Sequence, residues 1–362
     1  MSGVERAMKV RLATLVAAGA LLVGLGPAGA ERAEAAPNPF FGVMAQMPMT
    51  EADFDRMAKG RLGTYRMPID WGTVDQQEPA NMNWEWVDRV VGLTAERGIT
   101  VLPNFHDTPE WIAPDRRRVP IWNGEVIGRW QAFLRQAVTR YGSNGTFWLD
   151  HPDIPRRPIR FWQIWNEPNI RYWAWPVSPA RYTKLLRISA RTIRNVDPTA
   201  KIVLAGLYSR PPDGTGISAG RYLHRLYRQP GFRNSFDVAA IHPYANNTNR
   251  SVRRTFPIRR GMKRHKQRGK QNTGTAQGWG ADANSSFGQG SLDGQARQLY
   301  SAYRQYLILR HRLRLKSVVW FSWEDLPPGS KSCSFCMETG LFDIFGDPKP
   351  AWGRLLDLTH AN

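Results

Sequence analysis

The stretch FWQIWNEPN, residues 161–169, ends a run of large apolar side chains on Asn166 and Glu167, just before a proline. With Phe161, Trp162 and Trp165 as neighbours, the Glu167 carboxyl is favoured in its neutral form, because burial disfavours the charged state. A carboxylic acid kept protonated near neutral pH can hand its proton to a leaving group, which is general acid chemistry. Other apolar runs end in the same way. Arg66 and Asp70 close one, Asn104, His106 and Asp107 another, His242 and Tyr244 a third, and Trp323, Glu324 and Asp325 a fourth. Singly, each has an ordinary structural role as an ion-pair residue, a hydrogen-bonded core histidine or a packing ring. Together they point to one shared site.

Trp71, Trp111, Trp165, Trp173, Trp175, Trp279, Trp320 and Trp323 all fall at the ends of these runs or just after them. Flat apolar faces stack on sugar rings while polar edges nearby bond hydroxyls, so a saccharide cleft is expected, with some of these rings serving as packing. Nucleic acid is disfavoured, because basic residues do not interleave with the aromatics and no reading motif is present. Cys333 and Cys336 are the only cysteines. Two cannot make a four-ligand zinc site, and a local disulfide or two idle thiols are expected instead, with no metal and no cofactor.

The elements that position these residues are visible in the hydropathy pattern. After Pro37, short apolar runs alternate with longer amphipathic stretches: FFGVMAQM then EADFDRMAKGR, LGTYRMPIDW then WEWVDRVVGLTAERG, ITVLPNFHDTPEW then VIGRWQAFLRQAVTRYG. The rhythm continues to SVVWFSWEDL and PKPAWGRLLDLT, giving eight strand-then-helix units. Eight such repeats imply a parallel sheet closed into a (β/α)8 TIM barrel, whose catalytic groups sit where strands end. An open doubly wound sheet fits less well, since no glycine-rich phosphate turn follows the first strand.

A strand ending in Trp-Asn-Glu-Pro, an arginine on the second strand, His-Pro-Tyr on the sixth and Trp-Phe-Ser-Trp on the eighth resemble the clan of retaining glycoside hydrolases built on (β/α)8 barrels. The style is that of cellulase-like and β-xylosidase-like members, and the likeness spans nearly the whole chain after Pro37. The resemblance implies an O-glycosyl hydrolase with Glu167 as general acid/base. It further implies that Asn166 bonds the hydroxyl beside the reacting carbon, that His242 and Tyr244 orient a second carboxylate, and that Trp323 is a sugar platform. Arg66, His106 and Trp279 complete the implied substrate-binding set.

Retaining enzymes need that second, ionised carboxylate about 5 to 5.5 Å from the acid. In the family it ends the seventh strand, in a pattern resembling Thr-Glu-x-Gly-Trp-Gly. Here the matching stretch is Thr275-Ala276-Gln277-Gly278-Trp279-Gly280, with alanine at the nucleophile position. The strand before it, KQNTGT, also lacks the continuous apolar run of a strand buried on both faces. Gln277 would point the wrong way on an alternating strand and carries no charge. Three explanations remain open: a sugar-binding pseudoenzyme, a substitute carboxylate among Asp282, Glu324 and Asp325, or an altered residue in an ordinary enzyme.

A formal net charge of +20 suggests an anionic partner, and the excess is partly local. Arg253 to Lys270 holds nine lysines and arginines and no acidic residue, which is either a solvated basic helix or a surface for an anionic polymer. At the other end, Arg6, Lys9 and Arg11 precede an apolar run from Leu12 to Leu25 and A-x-A steps ending at Ala30 and Ala35. That layout predicts a secretory signal peptide over residues 1–36, a single barrel domain over 37–362, a secreted location and no membrane span in the mature chain.

Overall fold

The computed structural model describes residues 36–77, 82–283, 287–330 and 335–361. The expected signal peptide and Cys333 lie outside the described residues. Nine strands form one sheet: β1 (Asn38–Met44), β2 (Leu62–Asp70), β3 (Thr100–His106), β4 (Phe161–Ile164), β5 (Lys201–Val203), β6 (Leu207–Tyr208), β7 (Val238–His242), β8 (Gln271–Gln277) and β9 (Leu315–Phe321). Every pairing between them is parallel, and β1 pairs with both β2 and β9. β5 and β6 are two halves of one stave, since Val203 pairs with Val238 and Leu207 with Ile241, both on β7. The sheet therefore closes as an eight-stave barrel, as the eight repeats predict.

Helices fill the intervals: α1 (Glu51–Lys59), α2 (Trp71–Val74), α3 (Glu85–Glu96), α4 (Gly124–Tyr141), α5 (Thr146–Asp150), α6 (Pro179–Val196), α7 (Ala219–Tyr227), α8 (Thr248–Arg264), α9 (Leu292–Leu313) and α10 (Pro350–Ala361). Several start on a short polar side chain that accepts from the first turn: Thr50 for α1, Asn123 for α4, Ser178 for α6, Asn247 for α8 and Ser291 for α9. None of the described helices is long and apolar enough to cross a membrane.

The basic stretch is α8 and the turn after it. One face packs inward through Val252, Thr255, Ile258 and Met262. Arg259 is buried on that face and donates to the backbone carbonyls of Arg268 and Lys270. Lys270 Nζ donates to the carbonyls of Arg233 and Phe236. Part of this charge thus holds the local fold together rather than facing solvent.

Strand β8 is buried although its sequence is polar, because its side chains are bonded sideways. Thr273 bonds Ser317 on β9 (2.8 Å), Thr275 bonds His242 on β7 (2.9 Å), and Gln277 accepts from Ser251 on α8 (3.3 Å). Hydrogen-bonded polar groups can be buried at little net cost, so the apolar run is dispensable here. Among the described residues, the buried polar atoms of β8 without a partner are both amide atoms of Asn272 and Gln277 Nε2.

Candidate active site

At the C-terminal ends of the staves lies a cavity of about 370 Å³, lined by Arg66, Asn104, His106, Asn166, Glu167, His242, Tyr244 and Ala276 among others. Eight residues read from the sequence are thus brought together. The exit from β4 is sharp where the chain delivers the acid to the cavity, since Trp165 (φ 70°) and Glu167 (φ 36°) both adopt the left-handed region that ordinary residues avoid.

Glu167 is only 6% exposed. Burial pushes its carboxyl up to about 8, against the opposing pull of the Arg66 guanidinium and a hydrogen bond from the Trp173 side chain. It is therefore a protonated acid at neutral pH. His242 Nδ1 lies 2.5 Å from Glu167 Oε1, and burial followed by Arg66 pushes the imidazole well below its usual range, so the ring is neutral.

The proton on that ring can be assigned by following the hydrogen bonds. Arg66 Nε donates to Gln163 Oε1 (2.8 Å), which fixes the amide and turns Gln163 Nε2 to donate to Thr275 Oγ1 (3.3 Å). Thr275 Oγ1 accepts there, so its own hydrogen is available for His242 Nε2 at 2.9 Å. That arrangement favours the imidazole proton on Nδ1, donating to Glu167, with the carboxyl keeping its own proton. Arg66 Nη2 also donates to Asn166 Oδ1 (2.9 Å), which fixes the amide with its NH2 group as the remaining donor. Burial lowers Arg66 to about 10, so it stays charged at neutral pH.

Ala276 lines the same cavity, whereas Gln277 turns outward to Ser251 in the helical layer, as strand alternation requires. The expected substitutes are elsewhere. Asp325 is held by Lys349 Nζ (2.8 Å) and the Gly340 amide (2.6 Å), and Glu324 faces Asp53, Asp325, Asp343 and Arg56. Neither these two nor Asp282 lines the cavity. Asp70 and Asp107 are drawn aside by Arg116.

Two expected sugar platforms are corrected. Trp323 packs against Phe342 and Trp352, and Trp279 donates to the Ala245 carbonyl (2.7 Å); both rings are buried away from the cavity. Trp71, Trp165 and Trp320 are likewise core side chains. Of the eight tryptophans read as sugar-stacking candidates, Trp173 alone lines the cavity. Its aromatic wall instead includes Tyr172, Tyr208, Phe321 and Phe335, which sequence reading passed over. Tyr172 follows closely on Glu167 and Phe321 ends β9, so position at a stave end was the available signal. Tyr244 packs on Phe287 and Phe335 rather than orienting a second carboxylate. Cys336, also in the wall, is disulfide-bonded.

With this geometry in hand, comparison with known proteins is specific. The family model described as cellulase (glycosyl hydrolase family 5) matches residues 32–325. A β-xylosidase of Geobacillus stearothermophilus is 24% identical over 141 residues, which is 36% of this chain and 25% of that protein. A family 39 glycoside hydrolase from Bacteroides cellulosilyticus WH2 superposes with a TM-score of 0.68 at 18% identity, covering 90% of this chain and 64% of that one. A monomeric β-xylosidase from Caulobacter crescentus CB15 gives 0.64 at 16% identity, covering 90% and 69%. The chain thus spans a quarter of the Geobacillus β-xylosidase and under two thirds of the Bacteroides enzyme.

Proposed function

The chain belongs to the cellulase family, glycosyl hydrolase family 5, and from that footing we propose that it binds a saccharide at Glu167 and offers the Glu167 proton to a glycosidic oxygen, without a nucleophile of its own. The observation that carries this reading is that Glu167 is the one Asp or Glu among the described residues lining the cavity, with alanine at position 276. Both retaining and inverting hydrolysis call for a second carboxylate, at about 5 to 5.5 Å or about 6.5 to 9.5 Å from the acid. Without one, protonation of the leaving oxygen is not matched by attack on the sugar carbon. The ligand class is an oligosaccharide or polysaccharide, and xylo-oligosaccharides are the first to try because β-xylosidases are among the relatives.

The completeness of the network around Glu167 favours a second reading, hydrolysis of O-glycosidic bonds with Glu167 as acid and a nucleophile from outside these side chains. Calorimetric titration with xylo-, cello- and manno-oligosaccharides, alongside turnover of aryl glycosides, separates the two. Binding without turnover supports the first reading, and turnover abolished by Glu167→Gln supports the second. Failure of every saccharide to bind sinks both. We propose further that the chain is exported, on the charge and hydropathy layout of its first residues; a mature protein that still begins at residue 1 would remove this.

A further inference from the structure

Beside the cavity at Glu167 lies a larger cleft of about 590 Å³, lined by Arg210, Arg250, Arg253, Arg254, Ser209 and Ser218 among others. No Asp or Glu among the described residues lines it. Among the described residues, none of the four guanidinium groups has a carboxylate within ion-pair distance, although Arg97, Arg116, Arg140 and Arg194 elsewhere are all paired. Arg254 is half-buried, and burial together with Arg210 and Arg250 holds its guanidinium below the usual range. Like charges gathered without counter-charges destabilise the free protein, so their convergence on a cleft points to an anion that is bound there. The first turn of α7 adds to this. Its N-cap, Ser218, makes no side-chain bond to the turn, so the positive helix end opens into the same cleft.

The cleft and the cavity at Glu167 are separate but are lined by consecutive residues of the chain. Tyr208 lines the cavity and Ser209 lines the cleft. Tyr208 stands within electrostatic reach of both Glu167 and Arg254. Resting on the saccharide reading above, we propose that this arginine cleft is an anion subsite for an acidic glycan, holding a carboxylate or sulfate of one sugar while a neighbouring sugar occupies the cavity at Glu167. A nucleic acid fits less well, because the cleft's lining residues include no aromatic side chain on which bases could stack.

The test measures dissociation constants for neutral xylo- and cello-oligosaccharides, for carboxylated fragments (oligogalacturonate, glucuronoxylan and hyaluronan), for a heparin hexasaccharide and for single-stranded DNA. Wild type should bind at least one acidic glycan more tightly than any neutral one, with an advantage that shrinks as salt rises. Whether the carboxylated or the sulfated arm wins names the source of the anion. The double variant Arg210→Gln/Arg254→Gln should lose roughly tenfold in acidic-glycan affinity, as expected for two partly exposed charge contacts, and keep neutral binding. Arg250→Gln/Arg253→Gln, on the exposed face of α8, provides the same reading if the first variant folds poorly. Acidic glycans bound no better than neutral ones, affinity unchanged in both variants, or DNA bound as tightly as the best glycan would each overturn the subsite. Loss of neutral and acidic binding together in wild type would instead count against the saccharide reading itself.

Discussion

The Thr275 hydroxyl lies 2.9 Å from His242 Nε2, so the residue immediately before Ala276 still holds the imidazole that holds Glu167. The proposed general acid is therefore wired through the strand that carries alanine at position 276. Removing that hydroxyl in Thr275→Val frees the ring to carry its proton on Nε2, and the ionised form of Glu167 loses a donor. The Glu167 titration midpoint should then move about one pH unit higher, the equivalent of one hydrogen bond. Carbon NMR of the labelled carboxyl measures this, and Thr275→Ser should restore the wild-type value. A midpoint that stays put, or falls, would remove Thr275 from the relay.

The same carboxyl makes stability depend on pH. Glu167 titrates near 8 when folded, against an ordinary 4.5. The folded protein thus holds a proton that the unfolded chain releases between those values. Its contribution is full below the lower pKa and is lost as pH rises through the upper one. Wild type should therefore lose a few kcal/mol relative to Glu167→Gln between about pH 5 and pH 8.5, because one extra bound proton is worth about 1.4 kcal/mol for each pH unit crossed. Urea unfolding of both proteins across that range cancels groups common to them, including Lys270, which burial lowers to about 8. Parallel curves would show that Glu167 is ionised in the folded protein.

Much of this arrangement could be read from the chain. Seven staves declare themselves because parallel strands buried on both faces are nearly continuous apolar runs, as in FDVAAIHPYA. The stave at β8 does not, since Thr273 and Thr275 bond to neighbouring strands and the pattern cannot show sideways partners. Arg66, His106, Asn166, Glu167, His242 and Tyr244 reach the cavity because stave ends converge there. Beyond a strand end alternation no longer fixes which way a side chain turns, and Trp279 and Trp323 turn instead to the Ala245 carbonyl and to Phe342 and Trp352. Phe321, the last residue of β9, keeps that rule and forms part of the wall.

Gly206, in the gap between β5 and β6, has a steric duty to the same network. A Cβ there would stand 1.9 Å from His242 Nε2 and 2.5 Å from Thr275 Oγ1. Gly206→Ala should force the imidazole away from Glu167, costing about 1 to 3 kcal/mol in chemical denaturation, as overpacking does. Saccharide affinity should fall with it. Wild-type stability together with wild-type binding would mean that His242 can yield without consequence.

Restoring the absent charge tests how far this barrel stands from a working pair. The side chain at 276 lines the cavity that contains Glu167, whereas 277 faces the helices, so Ala276→Glu is the substitution on this stretch that delivers a carboxylate to the site. Losing a nucleophile costs on the order of 10⁴ to 10⁶ in rate in an enzyme of another class, and an ångström of misplacement can cost about a hundredfold. Turnover of aryl glycosides should accordingly appear or rise by at least about a hundredfold, with retention of configuration at the sugar carbon. The new charge should also push Glu167 further upward, since like charges disfavour ionisation. A bell-shaped pH profile would follow, with an acid limb from residue 276 and an alkaline limb above about 8 from Glu167. Ala276→Gln, similar in shape but uncharged, should gain nothing, and Ala276→Glu/Glu167→Gln should lose the gain on substrates with poor leaving groups. A variant that binds saccharide as wild type does, yet turns over no faster than Ala276→Gln, would show that β8 holds position 276 out of reach of the sugar carbon, and the equivalence of Ala276 with the family's nucleophile would fall.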